Sequence, residues 1–360
     1  MKYIYSLVLC FALFSQWMSA AEKKENETIA RIGQVNGFLS KHLTLTGYVQ
    51  GAYGYAKTNY RQGPVGSSTD NQFVNKLAMF VLSGNINEKL SWMLQFEAFT
   101  ACALETYIYW KPYSFFQVKA GQMKTCFTLE NQISPAVYES VNWDKAAARL
   151  SGISGDIGGN NGGRDIGIQV GGEAFMMPFN KYFLEYRVGV FNGNGLNPKD
   201  HNNAKDWATW ITLQPLNGLK IGASTYTGRL NYSSLQLGSE GVMVPVATNI
   251  DRNRQAVSLL YQNSNLTVRG EYIWVKDGYT RREGFYLTGY WFVIPSRLAL
   301  LAKVEGYDEN KKIDNYETIY TLGATYHVTA KTRFMLNYIH DRYRSGSYAN
   351  EFWAHVQIGF

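Results

Sequence analysis

Cysteine is rare in this sequence, with 3 residues among 360. That scarcity excludes a small disulfide-stapled scaffold, and no CxxC pair or Cys/His cluster indicates a metal site or another cofactor. Cys10 falls in the predicted leader described below. Two interpretations stay open for Cys102 and Cys126, which are a disulfide between them or two free thiols.

Long apolar runs are also missing. Beyond residue 21, no segment approaches the roughly 18 consecutive apolar residues that a membrane-spanning helix requires. Proline is scarce, with 8 residues, and we expect all of them in turns and loops rather than inside strands. In contrast, 15% of the residues are aromatic and 34 are glycine. This profile is typical of many β-strands separated by turns.

Residues 1–21 have the features of a secretory signal peptide. Lys2 supplies a positive charge, YIYSLVLCFALF is a short apolar core, and small residues at Ser19, Ala20 and Ala21 suit cleavage. Residues 22–41 are charged at first and then carry apolar residues at near-helical spacing. We therefore predict a signal peptide over 1–21, a short periplasmic extension over 22–41 and one main domain over 42–360.

Apolar and polar residues alternate with a period of two over stretches of about ten residues. In KLSWMLQFEAF, for example, Trp92, Leu94 and Phe96 share one face, while Gln95 and Glu97 share the other. This alternation fits a soluble β-sandwich, whose apolar faces form the core. It equally fits a membrane β-barrel, whose apolar face meets lipid and whose polar face lines the interior.

The lengths of the connections distinguish these two folds. Seven short connections fall at residues 85–88, 111–114, 178–181, 215–218, 263–265, 294–296 and 328–331. Longer polar segments alternate with them, including residues 56–72, 124–163, 192–203, 231–253 and 308–315. Regular alternation of short turns with longer loops predicts an all-β fold, a transmembrane antiparallel β-barrel of about 16 strands. Both termini are then periplasmic, and the location is the outer membrane of a Gram-negative bacterium.

A barrel of about 16 strands encloses a lumen wide enough for water. Its selectivity depends on the charges that face inward and on any loop that narrows the bore. The longest connection, residues 124–163, carries apolar side chains such as Phe127 and Leu150. We therefore expect this loop to fold into the barrel rather than to remain a solvated surface loop.

The candidate residues for pore lining and anion selectivity come from that loop and from inward strand positions. They are Lys119, Lys124, Lys145, Arg149, Arg164, Arg187, Lys220, Arg269, Lys303 and Arg333. Acids share the inward faces, namely Glu97, Glu105, Glu185, Glu271, Glu305 and Glu351. With a formal net charge of +7, the mixed wall indicates a mild anion preference. Because Lys and Arg are scattered singly, nucleic-acid binding is not indicated.

The last seven residues, AHVQIGF, alternate like a strand up to Phe360. In a closed barrel the last strand pairs with the first, here around residues 43–55, and Phe360 then lies at the lipid–water interface, where aromatic residues are favoured. A terminal phenylalanine on such a strand resembles the assembly signal of outer-membrane barrels. We therefore predict that the barrel-assembly machinery recognises this strand.

The segments VKAGQMKTCFTLE, RDIGIQVGG and YRVGVFNGNG occur in this order and together resemble the phosphate-selective porin O and P family. That family has a strand ending in Gly-Gln/Lys-x-Lys-Thr-Pro-Phe-x-x-Glu, a long loop and an Arg-Asp-x-Gly strand. Gly121, Lys124, Thr125, Phe127 and Glu130 match, whereas Cys126 replaces the usual proline. The resemblance runs from about residue 47 to residue 360. It implies a 16-stranded porin, usually trimeric, with a loop-narrowed pore. The family's phosphate specificity comes from inward arginine ladders and lysines, which are not matched position by position here.

Three classes of function remain to be compared. The leading hypothesis is a passive channel for small solutes, without catalysis or cofactor, with small anions as permeants. The second is an outer-membrane enzyme, but none of the five histidines lies in an evident pairing with a nucleophile. The third is a structural or adhesive barrel with a plugged lumen.

Overall fold

The computed structural model describes residues 43–61, 66–156, 162–197, 200, 202–237, 243–313 and 316–360, with only the backbone described over 231–237 and 243–248. The predictions for residues 1–21 and 22–41 lie outside the described residues. Sixteen strands make up the described fold. They are β1 (Leu43–Asn59), β2 (Ser67–Asn87), β3 (Leu90–Glu97), β4 (Cys102–Tyr113), β5 (Phe116–Lys124), β6 (Arg164–Met176), β7 (Tyr182–Phe191), β8 (Asp206–Leu216), β9 (Leu219–Leu237), β10 (Met243–Gln262), β11 (Leu266–Asp277), β12 (Thr280–Ile294), β13 (Leu298–Asp308), β14 (Glu317–His327), β15 (Arg333–Tyr343) and β16 (Tyr348–Gly359).

These strands form one closed antiparallel barrel, so the predicted fold is confirmed. Each strand pairs with its neighbours in sequence, and β16 pairs with β1 from Tyr48 opposite Gly359 to Asn59 opposite Tyr348. All seven predicted short connections lie at one end of the barrel, called here the tight-turn end. The opposite end is the long-loop end. Because β1 begins and β16 ends at the tight-turn end, both described ends of the barrel lie on the side that the sequence predicted.

The two faces of the barrel wall have opposite character. Leu94 and Phe96 of β3 point outward and are exposed, whereas Gln95 and Glu97 of the same strand are buried inside. The same inversion recurs in β8, where Trp207 is exposed and Asp206 is completely buried. An apolar exterior with a polar interior is the pattern of a barrel that lies in lipid.

Two loop predictions are wrong in extent. The predicted loop 231–253 is mostly a ribbon of two strands, because β9 continues to Leu237 and pairs with β10 from Met243 onward. The predicted loop 56–72 is likewise shortened by the ends of β1 and β2. The β9–β10 ribbon extends beyond its pairing with β8 and β11, and β2 extends beyond β3, whereas β1 pairs with β16 as far as Asn59. A strand that extends beyond its neighbours does not separate lipid from lumen, so the alternation that identifies a barrel strand is weaker there.

Three prolines also contradict the expectation that none lies inside a strand. Pro112 and Pro215 are each the penultimate residue of a strand. Pro245 lies in the β9–β10 ribbon, where β10 has not yet begun to pair with β11. At a strand end or on an edge strand, one side of the backbone has no paired neighbour. A proline whose nitrogen faces that side does not remove a hydrogen bond of the sheet.

The connection between β5 and β6 enters the barrel, as predicted. It contains two short helices, α1 (Leu129–Gln132) and α2 (Lys145–Leu150), and a 3-10 turn (Pro135–Val137). None of the described helices is long and apolar enough to cross a membrane. The apolar core of the protein lies between this loop and the wall, where Phe127 and Leu150 pack with Trp210, Ile273 and Tyr286.

Cys102 and Cys126 are both free thiols, which resolves the two interpretations left open by the sequence. Cys126 is completely buried in the apolar core, and its Sγ lies 3.3 Å from the carbonyl oxygen of Ala208. Burial raises the pKa of the Cys126 thiol to about 12, so this thiol stays protonated and unreactive at neutral pH.

Candidate functional site

The candidate site is the barrel interior, and its geometry is set by the way in which the β5–β6 loop is held there. The backbone N–H of Thr128 donates to Ser224 Oγ on β9 at 3.1 Å. At the start of α1, the N–H groups of Leu129 and Glu130 both donate to the carboxylate of Glu271 on β11, the second at 3.1 Å. A carboxylate at this position satisfies free N–H groups of the first helical turn and favours its dipole.

A second anchor joins the far end of the loop to β10, β11 and β12. Asp156 of the loop and Asp277 of β11 form a closed square of charges with Arg254 and Arg282, and all four side chains are at most 3% exposed. Arg254 Nη1 also donates to the Leu150 carbonyl at 3.0 Å. Burial opposes ionisation of Asp156, but the two guanidinium groups outweigh it and lower the pKa of this carboxyl. Since two cations face two carboxylates, the square is neutral.

A third anchor, at the middle of the loop, has more carboxylates than cations. Lys303 contacts both Asp144 and Glu305 at 2.8 Å, and Arg269 pairs with Glu139 and lies 3.6 Å from Glu130. Burial, together with the neighbouring Asp144, raises the pKa of Glu130 well above its ordinary value. Glu130 therefore tends to hold its proton, which reduces the cost of packing several carboxyl groups into a largely buried cluster.

The loop also reaches the opposite wall, where its contacts involve amides and cations. Gln50 on β1 and Gln357 on β16 donate to the carbonyls of Pro135 and Ala136, at 3.2 and 3.0 Å. Asn337 on β15 accepts from the N–H of Val141 at 2.8 Å. The Lys76 ammonium donates to the Val141 carbonyl at 2.6 Å and to Asn142 Oδ1 at 2.8 Å.

Contacts on opposite walls mean that the loop spans the lumen, with cavities on both sides of it. Towards the tight-turn end there are two, of about 340 and 520 Å³, which share Glu173 and Glu185 in their linings. Towards the long-loop end there is one of about 370 Å³, lined by loop residues Trp143, Lys145 and Arg149 and by strands β13 to β16. Within the part of the chain that the structure describes, cavities thus lie on both sides of the loop, in a tight-turn compartment and a long-loop compartment.

The ten predicted cations fall into two groups. Seven lie within 4 Å of a carboxylate, and these are Lys145, Arg149, Arg164, Arg187, Lys220, Arg269 and Lys303. The other three contact uncharged groups. Lys119 lies against the rings of Tyr107 and Tyr109, Lys124 donates to the Ile133 carbonyl at 2.8 Å, and Arg333 donates to Gln357 at 3.2 Å.

The predicted inward acids have contacts of their own. Glu105 pairs with Arg164, and Glu185 contacts both Arg187 and Lys220. Glu97 accepts from the backbone N–H of Ala78 and of Thr100, and Glu351 accepts from the indole of Trp353 at 2.8 Å. Because most cations touch an acid, a single-sign ladder does not line the whole lumen.

Sequence reasoning missed three buried arginines of the interior, Arg252, Arg254 and Arg282. Arg252 pairs with Asp206 and donates to the Gly193 carbonyl at 2.7 Å. The spacing of Arg252 and Arg254 by two residues was a signal that both face the same side of a strand. This signal was overlooked because the sequence predicted a loop over residues 231–253, which includes Arg252.

Phe360 lies where the barrel closes. Its outward ring is 49% exposed and packs 6.0 Å from the ring of Phe80, centroid to centroid. This position fits an aromatic residue at a lipid–water boundary. The role of Phe360 as an assembly signal remains a prediction.

Several solved structures have a similar fold. One is the anion-selective porin from Comamonas acidovorans, with a TM-score of 0.63 and 12% identity over 88% of this chain and 99% of that chain. Another is in-vitro folded OmpT, an outer membrane protein of Vibrio cholerae, with a TM-score of 0.63 and 11% identity over 88% and 97% of the two chains. A third is the outer membrane channel DcaP of Acinetobacter baumannii, with a TM-score of 0.56 and 13% identity over 88% and 97%.

No protein-family model matches the chain, and neither does any protein of curated function. At identities this low, the structural likeness concerns the fold. That fold is the one of outer-membrane β-barrels of Gram-negative bacteria, in agreement with the predicted location.

Proposed function

We propose that this protein is a passive channel in the outer membrane of a Gram-negative bacterium, through which small solutes diffuse. The observation that carries the proposal is a closed 16-stranded barrel with a polar interior and a cavity on each side of an inserted loop. A barrel with this number of strands is wide enough for an aqueous path, and a loop that enters the lumen sets its narrowest point. Neither catalysis nor a cofactor is part of the proposal.

The fold comparisons support the same function, since the proteins of similar fold include an anion-selective porin and an outer membrane channel. Membership of the phosphate-selective porin O and P family, and a trimeric state, are carried by the sequence resemblance and belong to the proposal. Phosphate as a permeant rests on that resemblance alone.

A mild anion preference is the finer part of the proposal. The two tight-turn cavities are lined by five cations, Lys111, Lys119, Lys181, Arg187 and Lys220, and by the two carboxylates Glu173 and Glu185. An excess of fixed positive charge raises the local concentration of anions. The preference is mild because cations elsewhere in the lumen touch carboxylates.

A plugged barrel is the second candidate, because the loop touches both walls of the lumen. Arg254 holds the Leu150 carbonyl on one side, and Gln357 holds the Ala136 carbonyl on the other. In a plug these contacts persist at all times. In a channel they leave a path beside the loop or open transiently.

An enzyme is the least favoured alternative. His327 contacts Tyr290 at 2.9 Å, and His340 contacts Asn350 at 2.9 Å. Neither contact is with a hydroxyl or thiol nucleophile of the serine or cysteine type. A lipid-hydrolysis and protease assay on the folded protein tests this part, and turnover above the level of a heat-unfolded sample would overturn it.

Conductance of the purified, folded protein in planar bilayers decides between channel and plug. The matched variant replaces residues 133–143, called here the flap segment, by a short Gly-Ser linker. The residues on either side of this segment are joined by the N–H of Asp144, which donates to Glu130 Oε1 at 3.3 Å. The variant loses the pair of Glu139 with Arg269, but the contacts of Glu271, of Lys303 with Asp144 and of the charge square lie outside the segment.

We expect discrete conductance steps from the wild-type protein and larger steps from the variant without the flap segment. Steps from the variant alone would identify a plugged barrel. If neither protein conducts, although both are folded and inserted, the channel hypothesis is wrong.

A further inference from the structure

The two ends of the lumen differ in fixed charge. At the tight-turn end, five cations face two carboxylates across cavities of about 340 and 520 Å³. Arg187 and Lys220 share a single acid there, Glu185. Within the described lining, the compartment therefore carries an excess of positive charge.

Aromatic rings, rather than carboxylates, position two of these cations. The Lys119 ammonium lies 4.4 Å from the centroid of the Tyr107 ring and 5.0 Å from that of the Tyr109 ring. The Lys111 ammonium lies 4.5 Å from the centroid of the same Tyr109 ring. A cation–π contact orients a cation without cancelling its net charge. The field of both ammonium groups therefore extends into the cavity.

At the long-loop end the charges of the lining balance, because the cations Lys145, Arg149 and Lys303 line the cavity together with the carboxylates Glu305, Asp341 and Glu351. Lys145 contacts two carboxylates, those of Glu317 and Asp341, and Lys303 also contacts two, those of Asp144 and Glu305. Glu351 lines the same cavity and accepts a hydrogen bond from the uncharged indole of Trp353. Within the described lining, this compartment therefore has no excess of either charge.

We infer that this arrangement, a positive compartment in series with a nearly neutral one, makes the channel rectify ion current. The inference rests on the proposed channel function. The loop between the two compartments keeps them distinct, since it contacts both walls of the lumen. A permeating ion therefore passes through the two compartments one after the other.

The direction of rectification follows from the order of the charges. In the positive compartment anions carry most of the current, whereas in the neutral compartment both ions carry it. When the long-loop side is positive, the positive compartment delivers more anions to the loop than the neutral one removes, so carriers accumulate there. With the opposite voltage, the positive compartment removes more anions than the neutral one supplies, so the loop region is depleted of carriers. The larger current is therefore expected when the long-loop side is positive.

Salt concentration provides an internal check. The Debye length is about 10 Å at 0.1 M and about 3 Å at 1 M, so fixed charges control the whole width of a cavity of this size only in dilute salt. We expect currents at equal and opposite voltages to differ about twofold in roughly 0.1 M KCl and to become nearly equal in roughly 1 M KCl.

The experiment is a current–voltage measurement on single channels in planar bilayers. Orientation is read from a cysteine at the tight-turn end, Ser264→Cys in a Cys102→Ser background, at an exposed position that lines neither cavity. A membrane-impermeant thiol reagent reaches this cysteine from one side. The test variant is the double substitution Lys111→Gln, Lys181→Gln, which removes two exposed cations of the tight-turn cavities. Its matched control is Lys89→Gln, Lys331→Gln, which removes two exposed cations of tight turns that line none of these cavities.

The inference is supported if wild type and control rectify in dilute salt, in the stated direction, and the test variant approaches a linear response. Glu351→Gln, at the other end, should also reduce the asymmetry. A linear response of the wild type in dilute salt, or rectification in the reverse direction, would overturn the inference and leave the channel function standing. Absence of any conductance overturns both.

Discussion

Phe360 and Gly47 close the barrel by exchanging two backbone hydrogen bonds, from Phe360 N to Gly47 O at 3.0 Å and from Gly47 N to Phe360 O at 3.3 Å. The Phe360 ring covers the glycine, because a Cβ built on Gly47 would lie 2.6 Å from its Cζ. An aromatic ring that lies over a glycine on the neighbouring strand protects that part of the ladder and fixes the register.

The first prediction concerns this closure. Phe360→Ala should lower the fraction of protein that is inserted and folded several-fold, because the ring that covers Gly47 at the seam is lost, while expression and export stay unchanged. Phe334→Ala is the control, since Phe334 is also an outward phenylalanine and is similarly exposed, at 53% against 49%. The measurement is the heat-modifiable folded band in outer-membrane fractions. Equal loss in both variants would show that any outward ring suffices.

The second prediction concerns the charge square. Asp156→Asn leaves Arg254 and Arg282 with one carboxylate instead of two, in a site where the side chains are at most 3% exposed. Breaking a buried pair in this way costs about 3 kcal/mol of stability, and it should free the end of the loop. Asp251→Asn is the control, because its pair with Arg229 is exposed on the surface and contributes little.

Thermal unfolding and channel noise measure this effect. We expect a lower melting temperature and more frequent current fluctuations for Asp156→Asn than for Asp251→Asn. An unchanged melting temperature for Asp156→Asn would mean that the square does not hold the loop.

The third prediction concerns pH. Burial and the neighbouring Asp144 raise the pKa of Glu130 above its ordinary value of 4.5, so the folded protein binds a proton that the unfolded chain releases. The stability from this group is complete below about pH 4.5 and is lost as the pH rises. Unfolding free energy should therefore decrease with rising pH by up to about 1.4 kcal/mol per unit from this group. Glu130→Gln, which is neutral at every pH, should flatten the profile.

The measurement is the free energy of chemical unfolding of wild type and of Glu130→Gln, from about pH 5 to about pH 9. Parallel profiles for wild type and Glu130→Gln would contradict this assignment of the proton. The variant is also expected to be more stable than the wild type at the alkaline end, because the wild type must bury a charge there.

The fourth prediction concerns the hold of Lys76 on the flap segment. Lys76→Met keeps the length of the side chain and removes the hydrogen bonds to Val141 O and Asn142 Oδ1, at 2.6 and 2.8 Å. Hydrogen bonds from a charged donor contribute about 1.5–3 kcal/mol, so the flap segment should detach more often. We expect a higher mean conductance with flicker. Lys57→Met, an exposed cation of β1, should behave as wild type; flicker in this control would implicate net charge instead.

The fifth prediction concerns ion selectivity. Lys119→Gln removes a cation that tyrosine rings position in the tight-turn cavity, so the reversal potential in a salt gradient should shift towards cations. Lys331→Gln removes an exposed cation at a tight turn that does not line that cavity. This control should leave the reversal potential in place. Equal shifts would assign selectivity to net charge rather than to the cavity.

Much of the fold was available from the sequence because a barrel strand has a simple local rule. Successive residues of a strand point to opposite faces, so the sequence alone places Leu94 on the lipid-facing side and Gln95 on the inward side. The short turns were recognisable because each joins two adjacent antiparallel strands at the tight-turn end. The rule failed at residues 231–253, since a ribbon that extends past its neighbours does not separate lipid from lumen.

The candidate site was only partly predictable. Inward positions such as Lys119 and Arg269 follow from strand parity, and the apolar residues of the long loop indicated that it enters the barrel. The partners did not follow. Arg269 meets Glu139 of the loop, and Arg254 meets Asp156, about a hundred residues away in sequence.

By itself, the sequence determined the closed barrel, the two faces of its wall and the entry of residues 124–163 into the lumen. These features come from local alternation and composition. Only the tertiary structure decided which charges are neutralised, which remain exposed to the cavities and how the loop divides the interior. Coulombic pairing depends on distances between atoms of remote segments, and strand parity specifies the side of a residue without specifying its neighbour across the lumen.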